Sequence, residues 1–223
     1  MDLPYWWTMN VAIISDVHCR GASCPAQREF VAWLQSLQAD ALWLLGDIFH
    51  TGWDFGGREQ SEYSEVYRAL EGLSASGVEL VFVPGNHDFA LAGYVEKQIG
   101  ATVSGPHVRT VDGTRVFLAH GDESDTRVGY RFVRIVLRSR LFCWFMRMLG
   151  VRFGTLLLRK LAGDAPRSGV VWDSTKTWLK QKSLNADLVI VGHVHSEWSE
   201  GGVSTLAPGV KGARRLINGV LVD

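Results

Sequence analysis

Seven histidines, with a set of aspartates and one asparagine beside them, hold the chemistry of this 223-residue chain. Most fall in five short polar signatures: Asp16-Val17-His18, Gly46-Asp47, Gly85-Asn86-His87-Asp88, His120-Gly121-Asp122 and Gly192-His193-Val194-His195. Imidazole, carboxylate and amide oxygen together suit hard-to-borderline divalent cations such as Mn, Fe or Zn, rather than a thiolate site. Asp16 and His18, like His193 and His195, are two apart, so both side chains of each pair leave a strand end on one side and can bite one ion. Asp47 follows Gly46, whose freedom in φ lets the backbone turn tightly and bring a carboxylate inwards. A carboxylate can bridge two cations, which an imidazole cannot. Asn86 offers a neutral oxygen, His87 and Asp88 form an adjacent acid–base pair, and His120 adds an imidazole. His50 is three residues past Asp47 and could reach a cleft, though a surface position is the plainer expectation, and His107 reads as a loop residue.

Each signature directly follows an apolar, strand-like run: VAIIS, ALWLLG, VELVFVP, TRVFLA and ADLVIV. In open α/β sheets, ligands bind in the crevice outside the carboxyl ends of the strands, so five separate stretches are expected to converge on one place. Strands are predicted at 11–15, 41–45, 78–83 and 186–191. A hairpin of 108–111 with 115–119 is predicted about Asp112-Gly113. Phe30, Val31, Trp33, Leu34 and Leu37 recur at helical spacing and predict a helix over 26–38. Further helices are expected at 62–73, 90–98 and 172–182. A long helical stretch from about 127 to 162 is expected to break at Gly150, Gly154 and Gly163. The tail segments 203–207 and 216–222 are expected to close a second sheet. Such an alternation packs as two sheets face to face with helices outside.

Composition bounds the function classes. The length suffices for one substantial domain over residues 1–223 without a stapled core. Lys+Arg and Asp+Glu balance at 23 each, so overall charge gives no reason to expect nucleic acid. Cys19, Cys24 and Cys143 have no metal-finger spacing and read as free thiols of a reducing cytosol. The opening MDLPYWWTMN lacks the positive and apolar regions of a secretory signal, and no uncharged apolar run reaches the roughly 18 residues of a spanning helix. The expectation is a cytosolic protein or one peripheral to a membrane.

All five signatures in this order resemble the calcineurin-like metallophosphoesterase superfamily, from Val11 to the tail. The resemblance implies a four-layer α-β-β-α sandwich with two divalent cations, usually Mn²⁺ in bacterial members. It implies that Asp16, His18, Asp47 and His195 hold the first ion, and Asp47, Asn86, His120 and His193 the second. It makes His87 the catalytic histidine, oriented by Asp88. Two ions so placed clamp the attacking and leaving oxygens of an in-line phosphoryl displacement and acidify a bridging water. A protonated His87 would steady phosphoryl charge or protonate the leaving group. A metal-free scaffold of the same fold would lack ligands, and here all seven are present.

A second feature lies between Asp125 and Asp164, where nine basic residues occur without one acid. Arg127, Arg131, Arg134 and Arg138 form one helical stripe amid Phe132, Ile135, Leu141, Phe142, Trp144, Phe145, Met146 and Leu149. Separate cationic and apolar faces suit a membrane surface or an amphiphilic ligand. A helical hairpin with solvated arginines is the plainer alternative, but the segment forgoes the intrahelical pairs of an ordinary solvated face. The stretch HGDESDTRVGYRFVRIVLRS, with GDIF and GNHDF, resembles UDP-2,3-diacylglucosamine hydrolases. That resemblance implies a helical cap insert over about 124–165 that takes acyl chains, and hydrolysis of a pyrophosphate to UMP and an acylated sugar 1-phosphate. It also implies sugar and phosphate contacts from Asp125, Tyr130, Arg131 and Arg134. It places the chain at the cytoplasmic membrane surface, acting on an amphiphilic nucleotide-sugar lipid. His87 departs from it, because typical members carry Arg there. A soluble phosphodiesterase or nucleotide phosphatase, and a membrane-docking scaffold, are the alternatives.

Overall fold

Continuous apolar runs become strands buried on both faces, as parallel sheets under helices require. The computed structural model of the chain describes residues 8–162 and 173–223. β1 (Asn10–Ile14), β2 (Ala41–Leu44), β3 (Glu79–Phe82) and β4 (Thr102–Val103) lie parallel and in order. Their alternate side chains part in two directions. Ile14, Leu42, Leu44 and Phe82 pack against Phe30 and Leu34 of α1 (Pro25–Ser36) and Val66, Tyr67 and Leu70 of α2 (Ser64–Ala75). Val11, Ile13, Trp43 and Val81 instead meet Val116, Leu118 and Ile190 of the second sheet. α3 (Ala92–Tyr94) continues into a single π-type turn at Val95–Ile99, where the helix of 90–98 was expected.

The second sheet holds β5 (His107–Val111), β6 (Thr114–Ala119), β7 (Leu188–Val191), β8 (Trp198–Glu200) and β9 (Val203–Thr205) in the order β5-β6-β7-β9-β8. β6, β7 and β9 run parallel, with antiparallel partners at both edges. Leu179 and Trp178 of α6 (Asp173–Lys182) cover its outer face against Phe117, Ala119, Val189 and Val191. The result is the four-layer α-β-β-α sandwich. α4 (Val128–Leu137) and α5 (Arg140–Ala162) are extra to those layers.

One expected strand is corrected. Residues 216–222 do not close the second sheet. They form a hairpin of β10 (Arg214–Ile217) and β11 (Val220–Val222), which extends the first sheet antiparallel to β1. The cause is local: Asn218 and Gly219 both take positive φ, the requirement of a two-residue type I′ turn. Asp112 and Gly113 do the same in the hairpin that was expected.

The helical stretch also breaks elsewhere than expected. It parts after Arg138, where the Ser139 hydroxyl accepts from Phe142 N at 3.2 Å, and again at Gly150, with φ 70° and ψ 177°. Gly154 is helical and buried, because a Cβ there would collide with the Phe55 ring. Gly163 lies outside the described residues, as do 163–165 of the expected insert. α5 is long and apolar enough to cross a membrane by length and composition, yet it kinks at Gly150 and rests on the sandwich. Met146, Gly154 and Leu158 pack with Trp53 and Phe55, and burying each of the larger side chains contributes roughly 1.5–3 kcal/mol. Gln60 Nε2 donates to Thr155 Oγ1 at 3.1 Å, Arg159 pairs with Glu62 at 2.5 Å, and Arg147 with Asp54 at 3.6 Å.

Candidate two-cation centre and cleft

The polar signatures meet where the parallel strands end, and the backbone there is unusual. Among the described residues, seven that are not glycine have positive φ, and five of them are Asp16, His18, Asp47, His193 and His195. Left-handed backbone is uncommon outside glycine and is retained mainly where surroundings over-determine it. The two-apart pairs therefore converge through left-handed kinks and not through simple strand alternation. Asp16 N donates to Gly46 O at 3.0 Å and His18 N to Asp47 O at 2.9 Å, tying two exits together. Asp47 Oδ1 accepts from His87 N and Asp16 Oδ2 from His193 N, each at 2.8 Å. Gly85 and Gly192 stand where these carboxylates pass, since a Cβ on either would clash with Asp47 or with Asp16.

Two carboxylate-containing groups of side chains result among the described residues, beside a third made of His18, His50 and His87. In the first, His195 Nε2 is 3.0 Å from Asp16 Oδ1 and 3.2 Å from His18 Nε2. In the second, Asp47, His120 and His193 present ligand atoms within 4.8 Å of one another, and Asn86 Oδ1 is 3.2 Å from His120 Nε2. Asp47 Oδ2 lies between the groups, 3.4 Å from His120 Nε2 and 3.8 Å from His18 Nε2. Atoms bound at about 2.0–2.2 Å to one shared ion stand roughly 3 Å or more apart, so the donor spacing fits a cation in each group. Two imidazole nitrogens facing each other at 3.2 Å repel unless a proton or a cation lies between them.

Hydrogen bonds fix which nitrogens are offered. His120 Nδ1 is 2.8 Å from Leu45 O, and a carbonyl only accepts, so Nδ1 carries the proton and Nε2 faces Asp47. Burial opposes charge on both carboxylates. Even so, the hydrogen bond with His195 leaves Asp16 below the usual carboxylate range, and His120 holds Asp47 well below it. Burial pushes His18 down to about 4 against the pull of Asp47 and Asp16, and burial with the charge of His120 lowers His193. Both shifts favour the neutral ring, which has a lone pair to donate. His120 rises well above the ordinary imidazole value despite its burial, because Asp47 faces it. A cation entering the second group has to displace that proton.

His87 lies with the cluster, its Nε2 4.0 Å from Asp47 Oδ2. Its Nδ1 donates to His50 O at 2.9 Å, which corrects the expected orientation by Asp88. The buried Asp88 carboxylate turns away and accepts from Gly85 N, Ile48 N and Phe49 N at 2.8, 2.8 and 3.3 Å. Burial and the charge of Asp47 raise it to about 6. It holds together the loops bearing Asp47 and His87. His50, expected at the surface, instead lines the cleft, stacked on His87 at 5.1 Å between ring centroids. Nothing in its sequence spacing separates it from a loop histidine.

The cleft has a volume of about 340 Å³ and runs from the histidines to the cap. Arg127, Tyr130, Arg134 and Arg138 line it from the α4 side, and Val133, Leu137, Leu158 and Leu161 form an apolar end. Two expected substrate contacts are displaced. Arg131 is exposed and is not part of the lining, since the stripe's inward edge is 127, 134 and 138. Asp125 is buried and engaged by Arg127 at 2.5 Å, outside the lining. Arg138, not among the substrate contacts expected from the sequence, lines the cleft where Arg131 does not. It follows Arg134 by four residues, and its guanidinium lies 4.8 Å over the Phe89 ring. The cap cations also find acids, with Asp122 and Asp125 pairing close by in sequence with Arg134 and Arg127, and Asp54 and Glu62 of another segment pairing with Arg147 and Arg159.

The calcineurin-like phosphoesterase family model matches residues 9–197. UDP-2,3-diacylglucosamine hydrolase of Aeromonas hydrophila is 31% identical over 198 residues, covering 84% of this chain and 82% of that protein. The enzyme of the same name from Haemophilus ducreyi is 31% identical over 203 residues, covering 85% of each. Among solved structures, a protein of unknown function from Aquifex aeolicus superposes with TM-score 0.45 at 17% identity, covering 91% of this chain and 90% of that one.

Proposed function

The chain belongs to the calcineurin-like phosphoesterase family of metal-dependent hydrolases, and from that membership we propose that it hydrolyses the pyrophosphate of an amphiphilic nucleotide sugar. UDP-2,3-diacylglucosamine, or a close lipid-linked relative of it, would give UMP and an acylated sugar 1-phosphate. The observation that carries this reading is one cleft with a cation-binding floor, an arginine wall and an apolar end.

Asp16, His18, Asp47 and His195 would hold one divalent cation, and Asp47, Asn86, His120 and His193 the other, with Mn²⁺ the proposed ion. When bound, the cations supply the charge that draws a phosphoryl group and a water together. The chain's own groups do the rest. His87 keeps its Nδ1 proton on the His50 carbonyl, so Nε2 is the atom that exchanges a proton with the substrate or contacts a phosphoryl oxygen. Arg127, Arg134 and Arg138, which line the cleft, would receive the remaining phosphate charge, and Tyr130 the sugar. Val133, Leu137, Leu158 and Leu161 would receive apolar chain, each buried methylene contributing about 0.8 kcal/mol.

The outer face of the cap supports work at the cytoplasmic membrane surface. Phe132, Ile135, Trp144, Met148 and Phe153 are 59–70% exposed, while Arg131, Arg140, Arg152 and Lys160 have no ion pair among the described residues. Incubation of the Mn²⁺-loaded protein with UDP-2,3-diacylglucosamine tests the reading. UMP release is expected. Turnover of small diesters with none of the lipid would make it a soluble phosphodiesterase.

A further inference from the structure

α4 poses a positioning problem, because none of its residues is buried. Core packing therefore cannot fix its rotation, although its inward stripe has to face the cation centre. Besides the Arg127–Asp125 pair and Arg138 over Phe89, three of its polar contacts converge on one side chain. Asp122, fully buried, begins the turn just after His120. Its Oδ2 accepts from Tyr130 Oη at 3.0 Å and lies 3.4 Å from Arg134 Nε and 4.0 Å from Arg138. Tyr130, Arg134 and Arg138 are successive i, i+4 neighbours, and all three line the cleft. The turn bearing Asp122 is itself anchored. Ser124 Oγ donates to Gly121 O at 2.8 Å and meets Thr175 of α6 at 3.0 Å, while Gly121 N donates to Glu123 at 3.1 Å.

We propose that Asp122 is a positioning residue that registers α4 on the loop of His120, aiming Tyr130, Arg134 and Arg138 at the substrate's phosphate and sugar. It touches no substrate and acts through those three side chains. The inference rests on the lipid-linked reading for the substrate that uses the cap, but the placement of α4 can be read without any substrate. A carboxylate is required, because only it offers one acceptor oxygen to the hydroxyl together with the charge that two guanidiniums need. Asp122→Asn keeps the acceptor and removes the charge.

The test uses the full chain loaded with Mn²⁺. For Asp122→Asn, the ratio of kcat/KM on UDP-2,3-diacylglucosamine to that on bis-nitrophenyl phosphate should fall about tenfold, the size of one lost charge-assisted contact, and the change should lie mainly in KM. In an Arg134→Ala background the same substitution should add about twofold or less, since coupled residues are not additive. Amides of Val128–Leu137 should exchange with deuterium faster while those of β6 keep their protection. Tyr130→Phe, which removes only the hydroxyl, should move the exchange in the same direction by less. Equal losses on both substrates with lost Mn²⁺ would assign Asp122 to the cation loop instead. Unchanged α4 exchange with additive kinetics would overturn the proposal outright. Should the parent protein leave UDP-2,3-diacylglucosamine intact, the functional reading fails, and the exchange comparison still decides the role of Asp122.

Discussion

The floor and the cap of the cleft are built on opposite physical terms. On the floor, Asp16, Asp47 and His120 are nearly or wholly buried, and backbone hydrogen bonds from three strand exits hold the loops in strained, left-handed turns. In the cap, α4 buries no residue and α5 buries four, Met146, Gly154, Thr155 and Leu158. The floor is thus over-determined, as atoms that must share a cation require, whereas the cap is held by a few polar ties and one small apolar cluster. The difference teaches where each property of the protein resides. On the proposed function, chemistry would belong to groups that cannot move, and choice of substrate to a helical pair that the sandwich only lightly constrains. Substitutions on the floor should therefore fall on every substrate alike, and substitutions in the cap on one substrate class.

The largest effect should come from Asp47→Asn. Asp47 Oδ2 is the oxygen within 3.8 Å of both histidine groups, so its loss removes charge shared by two cations. Activity on lipid and small diester should vanish together, and bound metal should fall while the far-UV spectrum stays native. Substantial turnover with two cations retained would break the assignment of a bridging carboxylate. His87→Ala comes next, with kcat expected to drop about two to four orders of magnitude on both substrates, the range of acid–base catalysis. Bound metal should hardly change, and loss of one equivalent would make His87 a ligand. His87→Arg is a useful companion, because a guanidinium keeps positive charge there but cannot exchange a proton near neutral pH.

The same division explains what the sequence could reveal. Each floor residue was legible because a strand of apolar residues ends in a polar signature, and strand ends meet in this kind of sheet. The left-handed turns at Asp16 and His18 were not, since nothing in Asp-Val-His announces positive φ. The final hairpin was readable in principle from Asn218-Gly219, a strong two-residue turn signal. Its sheet was not, because β10 pairs with β1 across about two hundred residues. That the cap forgoes intrahelical ion pairs is legible from its lack of acids, but its ties to Asp54 and Glu62 are not, because these lie far away in sequence. His50 entered the cleft through a turn no periodicity describes. Asp88 was read as orienting His87 from adjacency alone, when three backbone amides already claim it.

A cap substitution with an intermediate effect is Gly154→Val. Its side chain would meet the Phe55 ring and part α5 from the sandwich. The lipid substrate should lose about tenfold or more in kcat/KM, while the small diester, which needs only the floor, should lose far less. The thermal midpoint should fall by several degrees, as overpacking typically costs about 1–3 kcal/mol. Equal losses on the two substrates would show the floor and the cap to be one cooperative unit.

The smallest effect should arise on the cap's outer face, where each group acts alone. Arg131, Arg140, Arg152 and Lys160 are exposed in the cap, as are Phe132, Ile135, Trp144, Met148 and Phe153. A basic residue near an anionic bilayer contributes about 1 kcal/mol, within a Debye length. Replacing any one of the four by Gln should therefore weaken binding to vesicles of mixed zwitterionic and anionic lipid about fivefold, without touching hydrolysis of the small diester. Binding should also fall as salt rises, whereas Trp144→Ser should weaken it by an amount that salt hardly alters. The two dependences separate the contributions, because screening acts on charges and not on buried ring area. Vesicle binding indifferent to both kinds of substitution would mean that the outer face is not what meets the membrane, and the cap's only lipid contact would be the one inside the cleft.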